Sequence, residues 1–504
     1  ATPERWRPYF RQGVEDWQEA FEAAGFKNAI IAKDPPSPEE DPEFSPEDAR
    51  YSTVRYVAST TRNAVGPSVS DPRTGEIIES DIIWYHNHLR SYRNRYMLET
   101  GAANPLARTL QTPEEEIGEM MRRVISHEIG HALGLPHNMK ASSAYPVDSL
   151  RSGAFTQKYG IATTIMDYAR YNYVAQPGDE NIRFIRQLGP YDLYAINWGY
   201  RVIPEANTPE EEKTTLDNWI KEKEGDPVYM FGSGSGGFDP NSQTENIGDD
   251  PVKASTYGLM NLKKVAPNLI DWTTTEGKNY EDLEELYGEL VGVWNRYIGH
   301  VVTNVGGVYQ TLKTADQQGP VYNPVSKAKQ KETMQWLLDH AFSKPDWLMS
   351  AEISRRIEPA GMVERIRSLQ ARHLGALLNA SRLQRMIETQ AIEGNKAYPM
   401  AEMCADLRKG IWSELYSAKA MDVTRRNLQR AYLENMSELL NEEPSSPRSG
   451  FDLSQSDVRA VVRAELKTLQ NDIRRNIPRI KDTMTQNHLQ DCLDRIENTL
   501  NPKG

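Results

Sequence analysis

Three histidines and a glutamate lie close together in the run HEIGHALGLPH, which begins at His127. Residues four apart share one face of an α-helix, so His127 and His131 can present their imidazoles to one metal ion. His137 supplies a third ligand once Gly134 has turned the chain, and a catalytic zinc with three protein ligands keeps its fourth position for water. Glu128 projects about 100° around the helix, near enough to accept a proton from that water. The spacing predicts a zinc centre that hydrolyses peptide bonds.

The same residues leave two other functions open. A zinc-binding interaction or scaffold protein would keep the three ligands without turnover, and a zinc hydrolase acting on a non-peptide substrate would use the same motif. With 9 histidines in 504 residues, the arrangement arises by chance in roughly 10⁻⁵ of shuffled chains, so an accidental match is a poor explanation. The complete ligand set together with Glu128 favours the peptidase.

The longer pattern resembles the metzincin signature, HExxHxxGxxH followed by a Met-turn. The stretch GIATTIMDY, which ends at Tyr168, is similar to that turn. The resemblance implies that Met166 lies beneath the zinc ligands as a hydrophobic base and is not itself a ligand. It also implies that Tyr168 approaches the metal or the oxyanion, with a tyrosine that merely packs under the site as the alternative.

The resemblance implies a fold and a domain order. Residues 1–200 would form an α+β catalytic domain, with a twisted, mostly parallel sheet, an antiparallel edge strand, the zinc helix and the Met-turn. A loop-rich connection would follow over residues 201–270, and a mainly α-helical region over residues 271–504. The whole pattern resembles bacterial extracytoplasmic zinc metallopeptidases, which implies a secreted or periplasmic protein.

Substrate contacts follow from the same resemblance. In metzincins an edge strand before the zinc helix pairs with an extended substrate, and the matching stretch here contains Ala64, Val65 and Gly66. The segment 171–187 would wall the pocket for the residue after the scissile bond. Its Tyr171 and Tyr173, with the neighbouring valine, predict an apolar lining for that pocket.

Local sequence signals predict the elements that must position these residues. The sequence TPEE at Thr112 predicts a capping box and a helix that runs to Leu133, where Gly134 ends it. Proline and glycine in DPRTG predict a hairpin turn. Helix-like spacing and strand-like runs place one helix and four strands before the zinc helix, at residues 8–24, 28–32, 51–59, 64–70 and 77–85.

Beyond about residue 200 the pattern becomes helical. Apolar residues recur at intervals of three and four, and no fixed-period repeat is present, so a helical bundle is favoured over a solenoid. The predicted helical segments are residues 280–305, 327–342, 362–393, 399–441 and 456–500. Single histidines in these segments are assigned no chemistry.

Composition excludes several classes of protein. A net charge of −12 and a pI near 5.4, without a basic stripe, argue against nucleic acid as a partner. No apolar stretch approaches the roughly 18–20 residues that span a bilayer. Cys404 and Cys492 are expected to be buried thiols, with a disulfide as the alternative. No secretory signal is present, and because Ala1 is not a start methionine we expect sequence upstream.

Two weaker metal signals remain. Oxygen ligands are concentrated in residues 239–246 and in the nearby Asp249 and Asp250, which could hold a structural calcium ion. A solvated loop with a helix N-cap at Asp250 is the favoured interpretation. His86 and His88 could bind a second metal at a strand end, but structural histidines are favoured there.

Overall fold

The computed structural model of the chain describes residues 2–234, 236–441 and 452–502. These residues divide into two compact units. The first unit comprises Ala1–Gly237, Asn241–Trp294 and Thr311–Val321, and the second comprises Phe238–Pro240, Asn295–Gln310 and Tyr322–Gly504. By compactness the first unit therefore continues past residue 200. The predicted functional boundaries at residues 200 and 270 stay predictions.

Five strands belong to the first unit and two to the second. They are β1 (Val54–Val57), β2 (Ala64–Val65), β3 (Ser68–Ser70), β4 (Ile77–Ser80), β5 (Ile82–Tyr85), β6 (Val308–Gln310) and β7 (Tyr322–Pro324). A three-stranded sheet has the order β1-β5-β2, in which β1 runs parallel to β5 and β2 runs antiparallel to it. The sheet is thus short and carries the predicted antiparallel edge strand.

The burial of β5 explains why it is the central strand. Its side chains alternate, so that Ile82 and Trp84 are buried while Ile83 and Tyr85 are partly exposed. Trp84 lies opposite Ala64 of β2 and joins the hydrophobic core of the first unit. That core holds the sheet against the helices that carry the predicted zinc ligands.

The predicted hairpin forms between β3 and β4. Gly75 adopts a φ of +78°, and its N–H donates to Asp71 O over 2.8 Å. Pairing at this turn leaves Ala64 and Val65 to a different sheet, so the predicted strand 64–70 is divided in two. The strand predicted at residues 28–32 does not form. Ile30 O accepts from the Gln18 side chain instead of from a neighbouring strand.

Among the described residues, ten α-helices begin in the first unit. They are α1 (Arg7–Glu15), α2 (Gln18–Ala23), α3 (His88–Thr100), α4 (Glu114–Ala132), α5 (Gly153–Tyr159), α6 (Pro190–Tyr200), α7 (Pro209–Lys221), α8 (Pro251–Val265), α9 (Leu269–Thr273) and α10 (Glu281–Val302). The predicted helix 8–24 is interrupted between α1 and α2. The interruption buries Trp17, whose Nε1 donates to Ser126 O of α4 over 2.8 Å.

Helix α4 is the predicted zinc helix, but its N-terminus differs from the prediction. Pro113 is the N-cap, and no side chain caps the first turn. The Thr112 hydroxyl donates instead to Thr109 O over 3.4 Å, so the capping box is absent. Three glutamates in the first turn, beginning with Glu114, interact favourably with the helix dipole.

The second unit is mainly helical. After α10 the helices are α11 (Lys327–His340), α12 (Ala351–Ile357), α13 (Met362–Leu377), α14 (Ala380–Glu393), α15 (Met400–Ile411), α16 (Ser413–Ser417), α17 (Val423–Asn441), α18 (Asp457–Asn476) and α19 (Thr483–Leu500). Helix α17 packs against α13, α18 and α19. The predicted fold class, an α+β part followed by a helical region, is confirmed.

The structure also bears on the two cysteines and on the prediction that no segment spans a membrane. Cys404 and Cys492 are both free and buried, as expected for thiols that pack in helical cores. Among the described residues, no helix combines the length and the apolar character that a membrane span requires.

Candidate metal centre

The imidazoles of His127, His131 and His137 converge at the C-terminal end of α4. Within the described residues, they are the one group of three or more possible metal ligands, and their donor atoms lie within 4.8 Å of one another. His137 Nε2 lies 3.3 Å from His127 Nε2 and 3.0 Å from His131 Nε2. The three ring nitrogens therefore face a common point.

The end of α4 places the third histidine. Gly134 adopts a φ of +86°, and its N–H donates to His131 O over 2.9 Å. The next N–H, on Leu135, donates to Gly130 O over 2.9 Å. This is a Schellman motif, which requires a left-handed residue and reverses the chain within one turn. The reversal returns His137 to the face of the helix that carries the other two ligands.

Backbone carbonyls orient two of the imidazoles. His127 Nδ1 lies 2.8 Å from Ile165 O, and His131 Nδ1 lies 2.9 Å from Leu135 O. With Nδ1–H donating to a carbonyl, the lone pair of each ring is on Nε2, the atom that faces the common point. Such second contacts are usual for metal-binding histidines.

Burial keeps the three imidazoles neutral. It lowers the pKa of His127 well below the ordinary value, lowers the pKa of His131, and lowers the pKa of His137 to about 4. The neighbouring histidines and the charge of Arg186 act in the same direction. Neutral imidazoles with converging Nε2 atoms fit zinc, which is held in catalytic centres by three protein ligands.

Met166 lies directly beneath the ligand helix. It is buried, and a Cβ added at Gly130 would lie 2.2 Å from Met166 Sδ and 2.9 Å from the ring of Trp17. Only glycine leaves room for the sulfur at this position. The Met-turn residue predicted from the sequence is therefore found under the turn of α4 that separates His127 from His131.

A buried carboxylate holds the Met-turn segment. Asp192 accepts hydrogen bonds from the Thr164 hydroxyl, from Ile165 N at 2.9 Å and from Gly189 N at 2.8 Å. Ile165 is also the residue whose carbonyl accepts from His127. Asp192 therefore orients His127 through one intervening residue. No local motif marks Asp192, because it lies far from the histidines along the chain.

Glu128 borders a cleft beside the three histidines. Burial raises the pKa of its carboxyl group to about 7, while the positive charge of Arg186 opposes that rise. Gly66 packs on Glu128: a Cβ at Gly66 would lie 2.9 Å from Glu128 O and 3.3 Å from Glu128 Oε2. The absence of a side chain at Gly66 therefore lets the segment after β2 pass close to the carboxylate.

The ring of Tyr168 lies against the ligand set. Its centroid is 4.5 Å from that of His137 and 5.4 Å from that of His127. The side chain is half-buried, and burial raises the pKa of its hydroxyl. The raised pKa keeps the hydroxyl neutral and able to donate a hydrogen bond, and Tyr168 also borders the cleft.

The cleft has a volume of about 440 Å³ and brings together most of the predicted site. It is lined by Asn63, Ala64, Val65, Gly66, Pro67, His88, Tyr92, Val124, His127, Glu128, His131, Tyr168, Arg170 and Arg186. The edge-strand residues predicted to meet substrate thus lie in it. His88, Tyr92, Arg170 and Arg186 were not predicted as site residues, since no local motif marks them.

Tyr171 and Tyr173, predicted to line the substrate pocket, lie outside the lining of this cleft. Both are 1% exposed, and Val174 is fully buried. Tyr171 belongs to the hydrophobic core, where its hydroxyl donates to Tyr92 O over 2.9 Å. The apolar surface expected for the pocket is therefore used for packing, and Arg186 of the same segment faces the cleft instead.

The acidic residues that were considered as a calcium site form hydrogen bonds and an ion pair with other parts of the protein. Asp250 accepts from the first N–H groups of α8, as expected of an N-cap, and Asp249 Oδ1 accepts from Val147 N over 3.0 Å. Glu245 pairs with Arg95 at 3.1 Å. These residues form no metal-binding group among the described part of the chain, where the three histidines stand alone.

His86 and His88 take structural roles. His86 Nδ1 contacts the Tyr56 hydroxyl. His88 is buried, with ring centroids 5.2 Å from Trp84 and 4.8 Å from Tyr92, and burial lowers its pKa to about 3. Neither belongs to a group of three possible ligands in the described residues.

A histidine triad on a helix and its Schellman turn, with a methionine packed beneath it, defines a zinc-dependent metallopeptidase of the metzincin type. Residues 109–419 match the family described as Met-zincin, a stretch that begins before α4 and ends after α16. The chain belongs to this Met-zincin family. No curated protein sequence and no solved structure is detectably similar to it.

Proposed function

We propose that the protein is a zinc-dependent endopeptidase in which Glu128 is the general base. The observation that carries the proposal is the position of Glu128: its carboxyl group is buried at the border of a cleft, adjacent in sequence to His127 and beside three converging ring nitrogens. Among the described residues no hydrogen bond to the Glu128 carboxylate is present, so both of its oxygens are available to a water molecule and to the substrate.

In the proposed mechanism, different residues contribute to different steps of hydrolysis. Zinc, when bound by the three histidines, supplies a Lewis acid that makes a water molecule more acidic and polarises the scissile carbonyl. Glu128 accepts the proton of the attacking water and later donates it to the leaving amine. Tyr168 donates a hydrogen bond to the oxyanion from its place beside His137.

The edge strand supports an extended peptide as the substrate. β2 lies at the edge of its sheet and is hydrogen-bonded to β5 on its other side, so its outer backbone groups can pair with a peptide chain. Ala64, Val65 and Gly66 border the same cleft as Glu128. A peptide added to β2 would therefore run past the carboxylate, which favours cleavage within a chain over release of single terminal residues.

Digestion of casein by the zinc-loaded protein tests this proposal. We expect cleavage that a chelator abolishes and that added zinc restores. Glu128→Gln should keep one zinc ion per chain and lose nearly all activity, whereas His131→Ala should lose both the zinc and the activity. A zinc-loaded protein without peptidase activity would instead favour the scaffold or a non-peptide hydrolase. A fully active Glu128→Gln variant would contradict the role of the base.

The secreted or periplasmic location implied by the sequence resemblance stays a prediction. Fractionation of the source cells, with the protein detected by antibody, would test it. The region matched to the family ends at residue 419 and so includes only part of the mainly helical second unit, and we propose that this part belongs to the functional peptidase.

A further inference from the structure

Arg186 is a buried cation on the wall of the cleft. Arg186 is only 3% exposed, yet it lines the cleft together with Glu128 and Tyr168. One of its Nη1 hydrogens is donated to Asp167 O. Within the described residues this is its one hydrogen bond, and no carboxylate lies within ion-pair distance of it. A guanidinium group has five N–H donors, so most of them are left for a molecule in the cleft.

The other arginines of this region are paired. Arg170 Nε lies 2.6 Å from Glu245 Oε1, and its guanidinium stacks on the ring of Tyr92 at 5.2 Å. Arg183, three residues before Arg186, lies 3.1 Å from Glu119. Each of these charges is offset by a direct partner. Arg186 differs from them, although it is the most deeply buried of the three.

Burial without a direct partner is unfavourable for a charged group. The carboxyl groups of Asp167, Asp192 and Glu128 act on Arg186 electrostatically, but from beyond ion-pair distance. The hydrogen bond to Asp167 O gives Arg186 a packing role, because it holds the backbone of the Met-turn. That role uses one donor and does not explain why Arg186 also lines the cleft.

We propose that Arg186 binds a carboxylate of the substrate and makes the enzyme selective for an acidic group next to the scissile bond. The inference rests on the proposed peptidase function. The planar fork of a guanidinium matches the two oxygens of a carboxylate, and the hydrogen bonds between two charged groups are stronger than those between neutral ones. Arg186 belongs to the segment 171–187, which the sequence resemblance assigned to the pocket for the residue after the scissile bond. Arg186 also borders the same cleft as Glu128, so the carboxylate that it binds would lie close to the scissile bond.

The other walls of the cleft suit a carboxylate. Asn63 adds a polar side chain, and the charge of Arg170, which also lines the cleft, is offset by Glu245. The imidazole of His88 is kept neutral because burial lowers its pKa to about 3, so His88 adds no charge to the cleft. The carboxylate can belong to the side chain of Asp or Glu, or to the free C-terminus of a short substrate. Arg186 would bind the same group in both cases.

Paired peptides test the selectivity on the zinc-loaded wild-type protein. Internally quenched peptides would carry Glu or Gln after the scissile bond and would otherwise be identical. We expect kcat/KM to be about 10- to 100-fold higher for the Glu peptide, the range of a charge-assisted hydrogen-bonded pair. In Arg186→Gln this ratio should fall to near one, mainly through loss of activity on the Glu peptide. Equal rates on both peptides with the wild-type protein would exclude an acidic side chain as the group that Arg186 binds.

Arg183→Gln is the matched control. It removes an arginine from the same segment, one that is paired with Glu119 and does not line the cleft, so the Glu-to-Gln ratio should stay at the wild-type value. Zinc content and far-UV circular dichroism identify variants that fail to fold. If Arg186→Gln loses both peptides equally while it stays folded and zinc-loaded, Arg186 only holds the Met-turn and the proposal is overturned.

A second pair of peptides separates the two sources of the carboxylate. The C-terminus is free in one and amidated in the other, with no acidic side chain in either. A preference for the free acid, lost in Arg186→Gln, would assign the site to a terminal carboxylate. If neither pair shows a preference while the protein still digests casein, the inference is wrong and the proposed peptidase function stands.

Peptide binding distinguishes failure of the proposed peptidase function from failure of the carboxylate site. If the zinc-loaded protein cleaves no peptide, binding of the same labelled peptides, measured by fluorescence anisotropy, becomes the readout. Tighter binding of the Glu peptide by the wild-type protein than by Arg186→Gln would support the carboxylate site without turnover. Equal binding would overturn it.

Discussion

Met166 Sδ occupies the space that a side chain at Gly130 would need. An added Cβ would come within 2.2 Å of the sulfur, far inside van der Waals contact. Glycine weakens a helix interior by roughly 0.5–1 kcal/mol relative to alanine, so its presence between His127 and His131 requires a reason. The reason is the close approach of the methionine, which packs the Met-turn against the helix at the point where the histidines must be held.

Gly130→Ala should therefore destabilise the protein despite its better helix propensity. Overpacking of a close-packed core costs about 1–3 kcal/mol, which exceeds the propensity gain. Relief by movement of Met166 would shift the Met-turn, so zinc affinity should also fall. Gly288→Ala is the control, because this helical glycine has open space around its Cβ position and alanine should raise the melting temperature slightly. If the Gly130→Ala protein has the same stability and the same zinc affinity as the wild type, the proposed packing of Met166 against Gly130 is contradicted.

Asp192→Ala should weaken zinc binding from a distance. The substitution leaves the N–H groups of Ile165 and Gly189 without their acceptor, and each buried unsatisfied donor costs about 1–3 kcal/mol. Because Ile165 O orients His127, zinc affinity should fall by roughly 10-fold or more. Competition with a fluorescent chelator measures it. Asp148→Asn is the control, because Asp148 forms an exposed ion pair with Lys253. This substitution should change neither the stability nor the zinc affinity measurably.

The convergence of His127 and His131 could be predicted from the sequence, because helix geometry places residues four apart on one face. Gly134 could be read for the same reason, since a left-handed residue ends a helix in a defined way. Helical segments of the second unit were also predictable from apolar periodicity. The interruptions within them are set by short turns that periodicity does not register.

Residues that act through long-range contacts could not be predicted. Arg186 and Asp192 lie far from the histidines in sequence, and each is an ordinary charged residue until the chain folds it against the Met-turn. Tyr171 shows the opposite error. Its apolar character was assigned to a substrate pocket, whereas the core of the first unit buries it. Side-chain type indicates that a residue will be covered, but not whether protein or substrate covers it.

Tyr168→Phe distinguishes a donor to the oxyanion from a ring that only packs. If the hydroxyl stabilises the oxyanion, its loss should lower kcat by about 10²–10³-fold while zinc content and KM change little. Tyr171→Phe is the matched control three residues along. It removes a buried hydroxyl that donates to Tyr92 O, so it should reduce stability and leave kcat near the wild-type value. A Tyr168→Phe enzyme within twofold of the wild-type rate would show that the ring only packs against His137.

His488 gives the helical unit a built-in sensitivity to acid. The imidazole is buried, lies 2.8 Å from Gln429 Oε1 and stacks parallel to Trp412 with ring centroids 6.5 Å apart. Burial lowers its pKa to about 3, and the charged residues that act on it are Arg430, Arg426, Asp491 and Arg495. Three of these four are cations, which disfavour the imidazolium further.

The sign of the effect follows from proton binding. Unfolded histidine binds its proton near pH 6.5, whereas folded His488 does so only near pH 3, so the unfolded state takes up more protons in between. The contribution of His488 to stability is complete above pH 6.5 and is lost as the pH falls toward 3, by about 1.4 kcal/mol per pH unit. Urea unfolding of the wild type and of His488→Gln, followed by circular dichroism between pH 7 and pH 4, measures it. The difference in unfolding free energy between the two proteins should shrink or reverse as the pH falls, because glutamine has no proton to gain. Two profiles that stay parallel over this range would contradict the prediction, since they would mean that His488 titrates alike in the folded and unfolded chains.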